Sequence, residues 1–282
     1  MLKKILSPSQ TWFKMTYERH TLLRIKLWRA RQIIMENVQI IVLAAGHGKR
    51  MKNGNIPKVL LPFKDKPLIT HLLDSIEKAN VCNKPVIVVG QKADMVKNTL
   101  GPKYDYIYQS QQLGTGHAVK ICQKFLENKA KNIMVLYGDQ PLISPQTIRD
   151  LTQTHLNSQA TLTMVTISVN NFLSWRKTYE DFGRIVRNKN GDLLKIVETK
   201  DASEQEKQIT EVNPSYFVFN AGWLWKNIHL IKNSNIQKEF YLTDLLEIAI
   251  SQKRKISTIS ISSKEGLGVN NPEQLALLSR VN

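Results

Sequence analysis

The chain of 282 residues is short of cysteine and contains no long apolar run. No apolar stretch approaches the roughly 20 residues that a membrane-spanning helix needs, so we predict no transmembrane segment. The two cysteines, Cys82 and Cys122, show no metal-ligand spacing and suggest no disulfide framework. A reducing cytoplasm is therefore the compartment that we expect.

Acidic residues are also scarce, since 23 Asp and Glu face 40 Lys and Arg and leave a formal net charge of +17. Such an excess can indicate a nucleic-acid partner. Much of it is local, because residues 1–34 hold eight bases and one acid and so contribute +7. The remainder suits a lysine-rich surface or an enzyme with anionic substrates. We therefore predict no nucleic-acid partner.

No stretch rich in proline, glycine or serine divides the chain, and we find no internal repeat, so we expect one catalytic domain over residues 36–282. In its first half, apolar runs typical of buried strands alternate with segments of helical periodicity. The predicted strands are Val38–Ala45, Pro85–Gly90, Tyr106–Gln109 and Ile133–Tyr137. The predicted helices are Pro67–Ala79, Lys92–Leu100, Gly116–Phe125 and Thr147–Leu156. This alternation predicts an α/β fold with a mixed, mostly parallel sheet and helices on both faces.

From residue 162 onward the pattern changes to shorter strands. Asn190-Gly191 between two apolar runs is a strong hairpin signal. The predicted strands are Leu162–Val169, Arg184–Arg187, Leu193–Val197, Tyr216–Asn220 and Ile256–Ile261. The predicted helices are Leu242–Ser251, with Thr243-Asp244 as its capping pair, and Pro272–Leu278.

The first strand leads into a turn, Gly46-His47-Gly48, and then into a basic segment. Glycines let backbone N–H groups approach a ligand closely, because no Cβ stands in the way. A strand end, a glycine turn and fixed cations together predict an anion site, with polyphosphate as the best candidate. The turn is neither a Walker A loop, which needs Gly-Lys-Ser/Thr, nor a Rossmann fingerprint, because Met51 stands where the third glycine belongs.

The string LAAGHGKRM, followed by PKVL at residues 57–60, resembles the nucleotidyltransferases that join sugar 1-phosphates to nucleoside triphosphates. The resemblance implies a Rossmann-like nucleotidyltransferase fold. It also implies that Arg50 and Lys58 are catalytic, since they would offset charge on the phosphates. The residues implied to wrap the triphosphate are Leu43, Ala44, Ala45, Gly46 and Gly48.

A second string, QSQQLGTGHA at residues 109–118, follows a predicted strand and opens a helix. The amides of Gln109 and Gln112 both donate and accept hydrogen bonds, so they suit the edge of a nucleobase. The string resembles the bacterial N-acetylglucosamine-1-phosphate uridyltransferases, and this implies that Gln109, Gly114 and Thr115 hold uracil and ribose. We assign His117 a structural role.

The string YGDQPL at residues 137–142 ends the fourth predicted strand. A carboxylate at the mouth of a parallel sheet, facing a basic phosphate loop, is suited to Mg²⁺, which prefers one or two protein oxygens plus substrate phosphates. We therefore predict Asp139 as a metal ligand and catalytic residue, with Tyr137 and Gly138 beside the nucleotide. The same family resemblance implies Asn270, in GVNN, as the second metal ligand.

Three further positions match family residues that grip N-acetylglucosamine, namely Gly183 in FGRIVR, Glu198 in IVETKDA and Asn213 in EVN. The chain departs from the family beside the last of them. The family has Asn-Thr/Ser-Gly, whereas this chain has Asn213-Pro214-Ser215. Proline fixes φ and removes an N–H, so we expect altered backbone geometry beside the sugar.

The resemblance implies Mg²⁺-dependent transfer of UMP from UTP to N-acetylglucosamine 1-phosphate, with release of pyrophosphate. A sugar 1-phosphate is already ionised, so no general base is needed, and we find no Ser–His or Cys–His pair. The alternatives are another sugar 1-phosphate, another nucleotide such as dTTP or CTP, or an inactive nucleotide-binding regulatory module. The hexapeptide repeats of the family's acetyltransferase half are not found, so we expect uridylyl transfer alone and leave the oligomeric state open.

Residues 1–34 differ from the rest because aromatic and aliphatic side chains are interspersed with bases. One interpretation is a basic amphipathic helix in peripheral contact with an anionic membrane surface. Another is an organelle presequence, which has a similar Arg-rich, acid-poor composition. The third is that Met35 is the true start, because the family's chains usually begin there. We expect residues 1–35 to be a non-catalytic extension.

Overall fold

A computed structural model describes residues 37–46, 48, 51 and 56–281 of the chain. The interpretations of residues 1–35 therefore lie outside the described residues, as does the predicted catalytic Arg50. No helix in the described part is long and apolar enough to cross a membrane.

The described residues form strands and helices that alternate through the first half of the chain. The strands are β1 (Val38–Ala44), β2 (Pro62–Phe63), β3 (Lys66–Pro67), β4 (Val86–Val89), β5 (Asp105–Tyr108), β6 (Asn132–Tyr137), β7 (Leu162–Ser168), β8 (Gly183–Arg187), β9 (Leu193–Val197), β10 (Glu211–Asn213), β11 (Phe217–Asn220) and β12 (Ile256–Ser260). The α-helices are α1 (Leu68–Ala79), α2 (Ala93–Leu100), α3 (Thr115–Lys120), α4 (Gln123–Leu126), α5 (Pro145–Ser158), α6 (Glu204–Lys207), α7 (Ala221–Asn227), α8 (Asp244–Ser251) and α9 (Pro272–Val281).

The main sheet has the strand order β5-β4-β1-β6-β11-β7-β10-β8-β9, and β12 pairs with β7. Strands β5, β4, β1 and β6 run parallel, whereas β11 is antiparallel to both β6 and β7. In the parallel part, Leu43 lies opposite Tyr137 on one side and Val88 on the other. The predicted mixed, mostly parallel sheet is therefore confirmed, and the carboxyl ends of β1, β5 and β6 share one edge.

Both faces of the sheet are covered by apolar side chains from helices. Ile40 and Val42 of β1 pack with residues of α1 and α5, whereas Ile41 belongs to the cluster on the opposite face, which α3, α7 and α8 cover. Because successive strand residues point to opposite faces, a strand buried on both needs a continuous apolar run. This requirement explains why β1 and β4 could be recognised from composition alone.

The second half of the chain adds the short strands β8, β9 and β10, held at one corner by a buried arginine. Arg184 is 1% exposed and donates to the carbonyl oxygens of Tyr179 (3.2 Å), Glu180 (3.1 Å), Lys207 (3.3 Å) and Phe182. Burial lowers its pKa from the ordinary value. The guanidinium thus joins β8 to the 3₁₀ turn before it and to the end of α6.

Several elements differ from the sequence-based predictions. The helix predicted over residues 116–125 is two helices, α3 and α4, because the connection carries i→i−3 hydrogen bonds such as Cys122 N to Val119 O (3.0 Å). Helix α8 starts at residue 244 rather than 242, with Thr243 at its N-cap position. The Thr243 hydroxyl makes no cap bond, however, and instead donates to Glu198 Oε1 (3.1 Å). Strands β2, β3 and β10 and helix α7 were not predicted, since each is too short for a periodic signal.

A buried histidine in α5 connects this helix to the sheet. His155 is 2% exposed, and Thr163 Oγ1 donates to its Nδ1 (2.8 Å). Its Nε2 donates to Asn132 Oδ1 (3.0 Å), an orientation that follows because Asn132 Nδ2 donates to the carbonyl of Asn37. Burial lowers the pKa of His155 from 6.5 to about 4.

We expect His155 to make folding stability depend on pH. The unfolded chain takes up this proton near pH 6.5, whereas the folded chain resists it until about pH 4, so the stability present above pH 6.5 is lost as the pH falls. The complete loss corresponds to about 3 kcal/mol. Urea unfolding at pH 7 and pH 4.5 should show a smaller difference in His155→Gln than in the native chain. Equal differences in the two proteins would contradict the assignment.

Candidate active site

A cavity of about 610 Å³ opens at the carboxyl ends of β1, β5 and β6. It brings together Lys58, Asp139 and Asn270, the predicted charge and metal residues that the structure describes. Gly138 does not line it. The predicted nucleotide residues that line it are Leu43, Ala44, Ala45, Gly46, Gly48, Gln109, Gln112, Gly114, Thr115 and Tyr137.

The glycine turn after β1 brings the backbone close to Lys58. Gly48 has φ +60°, a conformation that favours glycine, and a Cβ at this position would lie 3.1 Å from Lys58 Cβ. Lys58 begins a short 3₁₀ turn (Lys58–Leu60) after Pro57. The turn and the lysine therefore form one wall of the cavity, as the predicted anion site requires.

The lysine ammonium bridges two oxygen groups from distant parts of the chain. Lys58 Nζ donates to Asp139 Oδ2 and to Asn270 Oδ1 (2.8 Å), and the Lys58 and Asp139 side chains are 13% and 18% exposed. Val269 N donates to the Asp139 carbonyl (3.0 Å), and Asn270 N donates to Gln274 Oε1 (2.6 Å). The bond from Val269 N holds Asn270 beside Asp139, so that the carboxylate and the amide oxygen can face the same ammonium.

The same two oxygens fit a magnesium ion. A carboxylate and an amide oxygen are hard donors, and they already converge on one positive charge, the Lys58 ammonium. In the described part of the chain, no group of three or more His, Cys, Asp or Glu side chains could hold a metal. Two protein oxygens completed by phosphates are the ligands that Mg²⁺ prefers. Asp139 and Asn270 would therefore hold the ion together with a bound nucleotide.

The loop after β5, residues 109–115, forms the other wall of the cavity, which we call the nucleotide wall. Its glutamines are held in part by hydrogen bonds within the loop. Gln109 is buried, and its Nε2 donates to His117 Nδ1 (3.0 Å) and to the Gly114 carbonyl (3.3 Å). Gln112 Nε2 donates to the Gln109 carbonyl (3.3 Å). Burial lowers the pKa of His117, which favours the neutral ring that accepts from Gln109. The structural role predicted for His117 agrees with these contacts.

The segment before α8, residues 240–243, is fastened to this loop. Phe240 N donates to the Leu113 carbonyl (2.8 Å), and Gly116 N donates to the Phe240 carbonyl (2.8 Å). Leu242 N donates to Thr115 Oγ1 (3.0 Å). Gly114 has φ +109°, and a Cβ there would lie 2.6 Å from the Phe240 oxygen, so only glycine permits this approach. This contact could not be predicted from the sequence.

Tyr137 stands between the nucleotide wall and the predicted sugar residues. Its hydroxyl interacts with the side chains of Thr115 and Ser215. Burial, reinforced by the nearby Glu198 carboxylate, raises the pKa of Tyr137, so the phenol stays protonated and can donate. Burial likewise raises the pKa of Glu198, which Thr243 partly offsets by its hydrogen bond.

The three predicted sugar residues meet on neighbouring strands. Gly183 of β8 lies opposite Asn213 of β10, and a Cβ on Gly183 would lie 3.5 Å from Glu198 Oε1. They do not line the 610 Å³ cavity but adjoin it through Tyr137. Gly183, Glu198 and Asn213 thus form one group next to the nucleotide wall, which we call the sugar cluster.

The departure from the family falls inside this cluster. Ser215 adopts φ +67°, and its N–H donates to Asn213 Oδ1 (2.9 Å). Asn213 Nδ2 donates to Ser215 Oγ (3.3 Å), and Gln140 Nε2 donates to the Pro214 carbonyl (2.9 Å). Pro214 therefore lies in a closed turn in which both the oxygen and the nitrogen of the Asn213 amide bond to Ser215.

Five residues that line the cavity were not predicted: Val59, Ala118, Lys200, Gln237 and Glu239. Lys200 lies two residues after Glu198, and its Nζ donates to Gln237 Oε1 (2.5 Å). This contact joins the loop after β9 to Gln237, three residues before the segment 240–243. The string IVETKDA contained the lysine, but a single exposed lysine carries no signal of its own.

Comparison with known proteins identifies relatives of this chain. Residues 40–190 match the family model described as a MobA-like NTP transferase domain. The chain is 40% identical over 248 residues to the bifunctional protein GlmU of Acetivibrio thermocellus, covering 88% of this chain and 52% of that relative. For the bifunctional protein GlmU of Thermoanaerobacter pseudethanolicus the identity is 38% over 241 residues, covering 86% and 50%. The chain thus spans about half the length of these curated relatives.

Among solved structures, the fold is similar to that of UDP-glucose pyrophosphorylase complexed with UDP-glucose. The TM-score is 0.68 at 19% sequence identity, with coverage of 86% of this chain and 97% of that chain. This similarity confirms the predicted Rossmann-like nucleotidyltransferase fold.

Proposed function

Because the chain belongs to the MobA-like NTP transferase family, we propose that it transfers UMP from UTP to N-acetylglucosamine 1-phosphate, giving UDP-N-acetylglucosamine and pyrophosphate. The observation that carries the proposal is the convergence of Lys58, Asp139 and Asn270 between the nucleotide wall and the sugar cluster. A nucleotide bound to the glycine turn would place its phosphates at this point.

The choice of UTP rests on the loop after β5 and on the sequence strings that match uridyltransferases. Gln109 and Gln112 line the cavity, and amide groups can pair with the edge of uracil. UDP-glucose pyrophosphorylase, which shares the fold, was solved with a uridine diphosphate sugar. We also propose the cytoplasm as the location of the activity.

The reaction needs positioning and charge neutralisation more than proton transfer. An ionised oxygen of the sugar phosphate forms the new P–O bond at the α-phosphorus of UTP, while the bond to the bridging oxygen breaks and pyrophosphate leaves. Lys58 neutralises charge on the phosphates, and Tyr137 and Glu198 orient the sugar end. Mg²⁺, when bound at Asp139 and Asn270, would supply further positive charge.

Pyrophosphate release tests the proposal. Native chain with Mg²⁺ is mixed with UTP, dTTP or CTP and with N-acetylglucosamine 1-phosphate or glucose 1-phosphate. We expect release to be fastest with UTP and N-acetylglucosamine 1-phosphate and to stop when chelator removes the metal. Release with another pair only would replace the named substrates. Binding of UTP without release for any sugar would favour the inactive regulatory module.

A further inference from the structure

Beyond the transfer itself, we propose that Lys58 controls cation binding, because its ammonium occupies the position that a divalent cation would take between Asp139 and Asn270. A bound triphosphate would draw the ammonium away and open this position. The inference rests on the proposed function and deepens it, since it adds regulation to the charge neutralisation assigned to Lys58. Two hydrogen bonds from Lys58 Nζ carry it, one to Asp139 Oδ2 and one to Asn270 Oδ1 (2.8 Å).

The ammonium and a cation would compete for the same two oxygens. Mg²⁺ binds oxygen at about 2.1 Å. If the ion and Lys58 Nζ shared Asn270 Oδ1, which lies 2.8 Å from Nζ, the two positive centres would be at most about 5 Å apart. Repulsion is strong at this separation, because the Lys58 and Asp139 side chains are mostly buried and water screens their charges weakly. Binding of the one therefore disfavours binding of the other.

The backbone around both oxygens is held in place, whereas the lysine side chain can move. Val269 N donates to the Asp139 carbonyl (3.0 Å), which keeps Asn270 beside Asp139. Asn270 N donates to Oε1 of the buried Gln274 (2.6 Å). Lys58 Nζ, in contrast, lies at the end of a flexible four-carbon stem. We therefore expect the Lys58 ammonium to leave when a cation binds, while the two oxygens stay.

A nucleotide triphosphate offers the ammonium a competing partner. Lysine has three N–H donors, and Lys58 uses two of them on Asp139 and Asn270. Gly46 and Gly48 line the same cavity as Lys58, so phosphates bound at the glycine turn would lie within its reach. Charged phosphate oxygens accept strong hydrogen bonds from an ammonium. Nucleotide and cation should therefore bind cooperatively, each strengthening the other by the same factor.

Binding of Mn²⁺ alone, without nucleotide or sugar, tests the inference. Electron paramagnetic resonance of the free ion gives the Kd, and Tm is recorded for each variant. Lys58→Met removes the ammonium, Lys58→Gln is a second neutral variant, and Lys58→Arg keeps the positive charge. Lys200→Met is the matched control, because Lys200 lines the same cavity but bonds to Gln237 Oε1.

We expect the Kd for Mn²⁺ to fall about tenfold or more in Lys58→Met and Lys58→Gln, and to stay within about twofold of the native value in Lys58→Arg and Lys200→Met. A Kd that is unchanged or higher in both neutral variants would overturn the inference, as would a lack of measurable binding in every folded variant. An equal fall in Lys200→Met would assign the effect to the general charge of the cavity and also overturn it. These measurements need no turnover, so their failure is distinct from a failure to release pyrophosphate, which would overturn the proposed function.

Discussion

Asp139→Asn is expected to lower the rate of pyrophosphate release about a thousandfold. Asparagine keeps the shape of the side chain but removes its negative charge. The carboxylate now accepts from Lys58 and, together with Asn270, provides the oxygens that fit a divalent cation. Losing one contact to developing phosphate charge commonly costs two to three decades in rate, or about 3–4 kcal/mol. Single-turnover kinetics with saturating UTP and sugar phosphate would measure the loss.

The control for this variant is Asp74→Asn. Asp74 also pairs with a lysine, Lys66, but on the surface and away from the cavity. We expect its rate to equal that of the native chain. Binding of Mn²⁺ in the presence of UTP, followed by electron paramagnetic resonance, should weaken only in Asp139→Asn. More than a tenth of native activity in Asp139→Asn would show that the carboxylate does not carry the reaction.

Arg184→Met is expected to destabilise the fold by about 3 kcal/mol or more. Methionine matches much of the volume but donates no hydrogen bond, so the carbonyls of Tyr179, Glu180, Phe182 and Lys207 each lose one donor. The first three still accept from Phe182 N or Thr199 Oγ1. Hydrogen bonds from a charged group contribute about 1.5–3 kcal/mol each, and the remaining donors, relaxation and water entry recover part of the sum. Denaturant unfolding, with the same m-value in both proteins, would measure the difference in the free energy of unfolding.

Arg149→Met provides the matched comparison, because Arg149 is exposed and bonds to Gln146 and the Lys78 carbonyl on the surface. We expect its effect to stay below about 0.5 kcal/mol. Equal losses in the two variants would mean that burial of the Arg184 guanidinium stabilises nothing. Since Arg184 follows Gly183, a destabilised β8 should also raise the KM for the sugar phosphate.

The parallel half of the fold could be predicted because its strands are buried on both faces. Short continuous apolar runs such as PVIVVG and IMVLY indicate buried strands. The observed strands begin and end within one or two residues of the predicted bounds. The α/β topology also predicted that the carboxyl ends of these strands meet at one edge of the sheet, where ligands bind. Lys58, Asp139 and Gln109 could therefore be predicted to lie together, and the structure places them around one cavity.

The sugar end was less accessible to prediction because it depends on contacts between short strands. Strand β10 has three residues, too few for any periodicity, although it carries Asn213. The sequence-level rule for Thr243 favoured a helix cap, but the hydroxyl donates to Glu198, 45 residues earlier. Tertiary contacts of this kind outweigh local preference and leave no pattern in neighbouring residues. Only the family resemblance pointed to this group.

The segment before α8, residues 240–243, contacts both ends of the site. Phe240 and Leu242 bond to the loop that holds Gly114 and Thr115. The Thr243 hydroxyl donates to Glu198. In genetic terms, a mutation in this segment is pleiotropic. A substitution that shifts the segment would alter the Michaelis constants of both substrates together. Selection for a change in one specificity would therefore also change the other. Variation that separates the two traits is therefore to be sought at positions such as Gln112 and Gly183, which contact one end each.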